Sequence, residues 1–387
     1  MSLSYATTLT RISQFLQDTG LATYDATELG MWLEDELKRI SPYDPYLLDV
    51  IFQVESRTGT DVTGTASSLT DLVKLQFLAA DATNEKVIHN TTDDTWAVVT
   101  GYTSTSVLTI SKDIMDADET YEIFNKRCRN KKQIYIGDMP FYLWVESVEY
   151  PVGTERNFHL VSKDILEIDV DDATIKDSDS TLATLNKVDV LIRFAIPRVL
   201  CQLADLAGAV HTEGATGATT LQVKSFTDAQ VVEVGELFNI ADHRTTYIVT
   251  TELTLANQAT TGSSLLFYPG LEAVASADGV ITFVKSTLQP DHEEILADLV
   301  AARAKISDAE RHHIQAIADL TTGRALLNTI NKGGVGGVVP SGYAQYAGAS
   351  IQVARELIAT AKGEQADIIR RLRSLANPKT AKEYART

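Results

Sequence analysis

The sequence is poor in cysteine. Cys128 and Cys201 are its two, too few for a disulfide framework and without the paired spacing of a zinc site. Proline is scarce at 9 residues, which leaves room for long helices beside short strands. Positive charge is in deficit: 34 Lys and Arg face 52 Asp and Glu, a formal net charge of −18. Duplex-binding proteins carry a basic footprint, so this balance argues against DNA as a specific partner. Met1-Ser2-Leu3-Ser4-Tyr5 shows neither a basic n-region nor an apolar h-region, so no secretory signal is expected there.

Long apolar runs are missing too. Residues 333–354 carry no charge, but glycine and a proline crowd their first half. A membrane span needs sustained Leu, Ile, Val and Phe, so this stretch predicts a flexible loop over 333–348 and no membrane partner.

Catalytic signatures are equally absent. There is no Gly-x-Ser-x-Gly elbow, and Gly333-Gly334-Val335-Gly336-Gly337 lacks the lysine of a phosphate loop. Asp169-Val170-Asp171-Asp172 with Asp177-Ser178-Asp179 invites a calcium reading. Counted from Asp169, however, Ala173, Thr174 and Ser180 occupy positions that an EF-hand gives to a ligand, glycine and glutamate. A solvated acidic turn is expected instead. His312 and His313 are adjacent and diverge by about 100° on a helix, so they do not share an ion, and His313 reads as a hydrogen-bonded packing residue. The sequence therefore predicts no enzyme, no cofactor and no metal site.

What is present is a chain of 387 residues with 44% apolar and 22% charged content, ordinary for two or three globular domains. Residues 1–58 read as a helical segment. Leu9, Ile12, Phe15 and Leu16 form one stripe, Thr27 caps a second helix with Leu29, Trp32, Leu33 and Leu37, and 46–54 continues the apolar pattern. Residues 59–124 read as an inserted β module, and 125–196 as a further β region of β-branched, alternating runs. Pro197 opens a predicted helix over 197–212, with Val199, Leu200, Leu203 and Leu206 on one face. A second inserted β domain is expected over 213–285.

Residues 286–376 carry the strongest pattern. Ile295, Leu299, Ala302, Ile306, Ala309, His313 and Ile317 step by threes and fours, and Ile351, Ile358, Ala361, Ile368 and Leu372 repeat the stripe after the Gly-rich loop. This predicts a long helical hairpin. The chain ends in a basic tail, 377–387. From Lys362 onward seven cations stand against three acids: Lys362, Arg370, Arg371, Arg373, Lys379, Lys382 and Arg386. Basic residues on an acidic body are candidates for docking an acidic partner. The expected class is α+β: a helical platform with a long C-terminal helical hairpin and inserted small β-barrel or sandwich modules.

Three passages carry a resemblance. Asn90-Thr91-Thr92-Asp93-Asp94-Thr95-Trp96-Ala97-Val98-Val99-Thr100, with Ser106-Val107-Leu108-Thr109 and Glu119-Thr120-Tyr121-Glu122-Ile123, is similar to a β module of phage virion proteins. Val148-Glu149-Tyr150-Pro151-Val152-Gly153 with Arg156-Asn157-Phe158 resembles a segment of phage neck and tail proteins, and 217–284 is similar to β domains inserted in phage structural proteins. The chain thus resembles a tailed-bacteriophage head–tail connector (adaptor) protein. The resemblance implies a ring of twelve copies beneath the portal protein, extending the DNA channel towards tail or nozzle proteins. It also implies residence in the virion neck after synthesis in the host cytoplasm, with DNA passing but not specifically bound. A terminal segment of such proteins reaches into the portal, which makes 362–387 the candidate. A tail, baseplate or fibre-attachment protein is the alternative, and a carbohydrate-binding adhesin a further one.

Overall fold

The computed structural model describes residues 3–21, 23–175, 188–255, 262–332 and 342–375. Helix takes 26% and strand 32%, so neither dominates and the class is α+β.

Helix α1 (Tyr5–Phe15) starts where the Ser4 hydroxyl accepts the Thr7 N–H. Helix α2 (Ala26–Ile40) is capped by Asp25, whose carboxylate accepts the Thr27 N–H at 3.1 Å. Thr27 is therefore inside the helix, and the cap expected of it belongs to the aspartate two residues earlier. Both helices bury one face, Ile12, Leu29, Leu33, Leu37 and Ile40, against Ile295, Leu296, Leu299 and Val300 of α4 (Pro290–Lys332). Each fully buried aliphatic side chain of this kind contributes about 1.5–3 kcal/mol. Ala297 and Ala304 are small enough to let the axes approach.

The segment Tyr46–Gln53 is a strand, not a helical continuation. It pairs antiparallel with Asp189–Ile196, Leu48 opposite Phe194 and Val50 opposite Ile192. Leu48 and Val50 are buried while Leu47, Asp49 and Ile51 face water, the period of two that a half-buried strand requires. Trp144–Glu149 and Glu155–Arg156 complete this four-stranded sheet, and Phe158–Ser162, Ile165–Ile168 and Gln133–Tyr135 form a three-stranded one. The two share a core of Ile134, Val148, Leu166, Ile192 and Phe194.

A six-stranded sheet occupies residues 58–124, in the order Thr58–Thr60, Thr120–Phe124, Val87–Asn90, Thr95–Ser104, Val107–Ile110 and Ser68–Thr70. With the short helix α3 (Ala79–Thr83) it encloses Leu69, Phe77, Ile88, Val99, Leu108 and Tyr121. At its root Arg57, only 4% exposed, binds Glu55 at 2.9 Å and Asp81 at 2.5 Å. Lys86 joins Glu55 from the other side at 3.0 Å, so four charged groups share the site and none is left without a partner.

The helix expected over 197–212 does not form. N–H groups that a helix opening at Pro197 would turn to its own carbonyls bond elsewhere: Cys201 donates to the Lys285 carbonyl and Gln202 to the Glu236 carboxylate, while Arg198 and Val199 donate to the Ser41 and Thr287 hydroxyls. Those tertiary bonds displace the i→i−4 ladder, and Ala207–Val210 becomes a strand. It joins Thr220–Lys224, Ser263–Tyr268, Thr246–Val249, Leu237–Ile240 and Val280–Phe283 in a closed six-stranded barrel around Phe238, Tyr247, Phe267 and Phe283. The β domain therefore begins inside the predicted helix.

Helix α5 (Gly342–Leu375) takes up seven residues of the predicted Gly-rich loop, 342–348, and 333–341 lie outside the described residues. The α4–α5 seam carries Lys305–Glu364 at 3.2 Å and Glu310–Lys362 at 3.6 Å, with Ala309 and Ala361 buried along it.

Where barrel, central sheet and helices converge, Asp44 accepts from His292 at 2.6 Å and from Arg198 at 2.7 Å. Arg198 also donates to the Thr287 carbonyl. Burial alone would push the Asp44 carboxyl up; the His292 hydrogen bond and the Arg198 charge outweigh it and hold the group below its usual range.

Candidate interaction surfaces

Of the seven cations proposed for docking, Lys362, Arg370, Arg371 and Arg373 lie on α5, and Lys379, Lys382 and Arg386 lie outside the described residues. Lys362 binds Glu310 across the seam, and Arg370 binds Asp367 one turn back at 3.0 Å. At about 100° per residue, Lys362 and Arg371 stand on opposite flanks of buried Ala361, with Arg370 facing away from it. The helix spreads its cations around its circumference and does not gather them into one patch.

Arg371 lines a cleft of about 380 Å³ with Phe15, Asp298, Lys305, Glu364 and Ile368. Burial, then the neighbouring Glu294, pushes the Asp298 carboxyl up, and Arg371 opposes both. With Asp367 the cleft holds three carboxylates against two cations, so it offers no single sign of charge to a ligand.

The strongest surface feature comes from the β module, in the run Asp71-Leu72-Val73-Lys74-Leu75-Gln76-Phe77-Leu78. Phe77 is fully buried, but Leu72 is 61%, Val73 82%, Leu75 53% and Leu78 56% exposed. Four large apolar side chains in one loop is an arrangement that a monomer's solubility disfavours. The loop is nevertheless firmly built. The Asp71 carboxylate accepts the N–H groups of Val73 and Lys74 and, at 2.7 Å, the Tyr121 hydroxyl. Gln76 donates to the Tyr121 hydroxyl and the Thr58 carbonyl, and Arg57 donates to the Gln76 carbonyl at 2.7 Å. Leu75 sits at φ +50°, a left-handed conformation that a side chain adopts only when its surroundings dictate it. Polar groups hold the backbone from beneath while the apolar side chains point to water. The sequence contained these residues without marking them, because an apolar run reads as core until its exposure is known.

The other motifs take ordinary places. Asp169 pairs with His159 and Asp172 with Lys132, while Asp177 and Asp179 lie outside the described residues. His312 faces Asp308 at 3.6 Å. His313 is half-buried, and its Nε2 makes no hydrogen bond among the described residues. No group of three metal-ligating side chains occurs among the described residues, and no helix among them is long and apolar enough to cross a membrane. Burial pushes the Cys128 thiol up to about 12 and raises that of Cys201 as well, which keeps both protonated and unreactive.

No protein-family model matches the chain, no curated protein matches its sequence, and no solved structure matches it.

Proposed function

We propose that this chain works by assembly and not by catalysis, as a structural protein of a tailed-bacteriophage particle. The observation that carries the reading is the loop 71–78, a rigidly hydrogen-bonded scaffold holding Leu72, Val73, Leu75 and Leu78 in water. Exposed apolar surface of this kind is stabilised by burial against another protein, at about 25 cal/mol for each Å² covered.

The finer reading is a head–tail connector. Helices α1, α2 and α4 form the platform, α4 with α5 the long helical hairpin, and the six-stranded module and the barrel are grafted on it. Twelve copies would ring the channel beneath the portal, with residues 362–387 reaching the portal and the outer face meeting tail or nozzle proteins. A net charge of −18 suits a channel wall that lets the phosphate backbone pass without sticking. The three sequence passages resembling phage virion, neck and tail proteins support a structural virion protein, and the two long striped helices favour the connector over an adhesin.

The test is complementation. A phage lacking the gene is supplied with wild-type chain or with Leu72→Asp/Val73→Asp. The variant is expected to fold and to leave particles unjoined; full rescue by it would contradict the role given to the loop.

A further inference from the structure

Residues 126–132 read Lys-Arg-Cys-Arg-Asn-Lys-Lys, five cations and no acid in seven residues of a chain with net charge −18. The segment connects the six-stranded module to the three-stranded sheet and is fixed by its own backbone. Cys128 is buried with Val87 and Phe124, Asn125 donates to the Gln53 carbonyl, and the Gln133 side chain accepts the Arg129 N–H at 2.8 Å.

Aromatic rings place the charges. Lys126 and Arg127 lie over Tyr135 at 5.3 and 5.7 Å, and Arg129 over Trp96 at 5.7 Å. The His89 ring stacks on Trp96 at 3.9 Å. Histidine and guanidinium thus occupy the Trp96 ring, which leaves little of it for a nucleic-acid base to stack on. Lys126 binds Glu85 and Lys132 binds Asp172, and Arg127 approaches Asp164 at 3.7 Å while remaining 63% exposed. Arg129 and Lys131 form no ion pair among the described residues. The surface therefore presents positioned, partly unpaired cations suited to carboxylates.

The same module carries acids as well, beside the His89–Trp96 stack. The turn holding Asp93 and Asp94 meets the segment holding Asp116, Asp118 and Glu119, all but Glu119 exposed, and Asp94 pairs with His89 at 2.9 Å. Glu119 foremost, with Asp116 behind it, pushes the Asp93 carboxyl up, the mark of like charges crowded together. His89 and Trp96 thus join the acidic turn to the ring that Arg129 covers, so acids and cations stand side by side, and a second copy can meet each with its opposite.

We infer that the 126–132 loop is a self-association surface that docks the acidic 93–94 and 116–119 tip of a second copy of this chain. The inference rests on the reading of the chain as one that assembles copies of itself.

The experiment uses full-length protein and sedimentation velocity over a concentration series. Wild type is expected to self-associate, and to do so less as salt rises from about 0.01 to about 0.15 M, where the Debye length falls from about 30 to about 8 Å. Arg129→Glu/Lys131→Glu and, separately, Asp93→Lys/Asp116→Lys are each expected to weaken association at least tenfold. Mixing the two variants restores it, because one copy then keeps the basic loop and the other the acidic tip. Circular dichroism checks that each is folded, and the second variant stands in if the first is not.

Three results would overturn the inference. One is a monomeric wild type at every salt; another is a mixture no tighter than its components. The third is self-association unchanged in Arg129→Glu/Lys131→Glu while that variant loses binding to a DNA oligonucleotide, which would reassign the loop to nucleic acid. A wild type that associates through another surface removes this interface and leaves the assembly reading standing.

Discussion

Lys362 of α5 holds Glu310 of α4 at 3.6 Å, so a cation that the sequence offers to a partner is engaged within the chain. Both side chains are more than half exposed, and such pairs contribute at most about 1 kcal/mol. Lys362→Glu/Arg370→Glu should therefore keep the wild-type melting temperature within a few degrees. The connector reading expects the same variant to bind purified portal at least tenfold more weakly in a pull-down titration. Unchanged binding would remove these two residues from the docking set.

The apolar loop separates stability from assembly. Val73→Asp, at a position 82% exposed, is expected to change unfolding free energy by less than about 0.5 kcal/mol. Phe77→Ala, four residues on and fully buried, should cost about 3–5 kcal/mol in a urea titration. If Val73→Asp proves as damaging as Phe77→Ala, the loop is part of the core and not a docking element.

The Asp44 junction predicts acid sensitivity. Its folded-state carboxyl is held low, so it contributes stability above about pH 4 that is lost as pH falls through the lowered value. Asp44→Asn leaves Arg198 and His292, each under a tenth exposed, without their carboxylate and should cost about 2–4 kcal/mol at neutral pH. Urea midpoints against pH should show the two proteins converging in acid. Parallel curves would assign the effect of the mutation to packing.

Glu236 predicts the opposite slope. Burial pushes its carboxyl up to about 7, although the Gln202 N–H and the Cys201 thiol act to lower it. The folded state thus favours the neutral acid, and its contribution, full below about pH 4, fades as pH rises towards 7. Glu236→Gln keeps an acceptor without the charge and should be about 1–3 kcal/mol more stable than wild type at pH 8, with no difference at pH 4. A variant less stable at pH 8 would show that the ionised carboxylate is needed.

Strands were legible where β-branched residues alternate, as in Thr95–Ser104, Val107–Ile110 and Val280–Phe283. Tyr46–Gln53 was not, because Leu47, Leu48, Val50 and Ile51 fit a helical stripe as well as an alternation. Its partner strand, Asp189–Ile196, decides the matter from 136 residues away, where Gln53 meets Asp189. The 197–212 segment failed for the same kind of reason: the Lys285 carbonyl and the Glu236 carboxylate, invisible to local pattern, take the N–H groups of Cys201 and Gln202. Surfaces were the least legible. The basic run 126–132 is plain in the sequence, but only the fold places Trp96 beneath Arg129, and only exposure separates Leu72 and Val73 from a buried strand.

The central claim is that this chain is a structural component of the particle neck. On that proposal the most direct measurement is quantitative mass spectrometry of purified tailed-phage virions produced with the gene for this chain, comparing its copies with those of the portal. The account predicts one copy per portal subunit. Absence of the chain from the particle would contradict it.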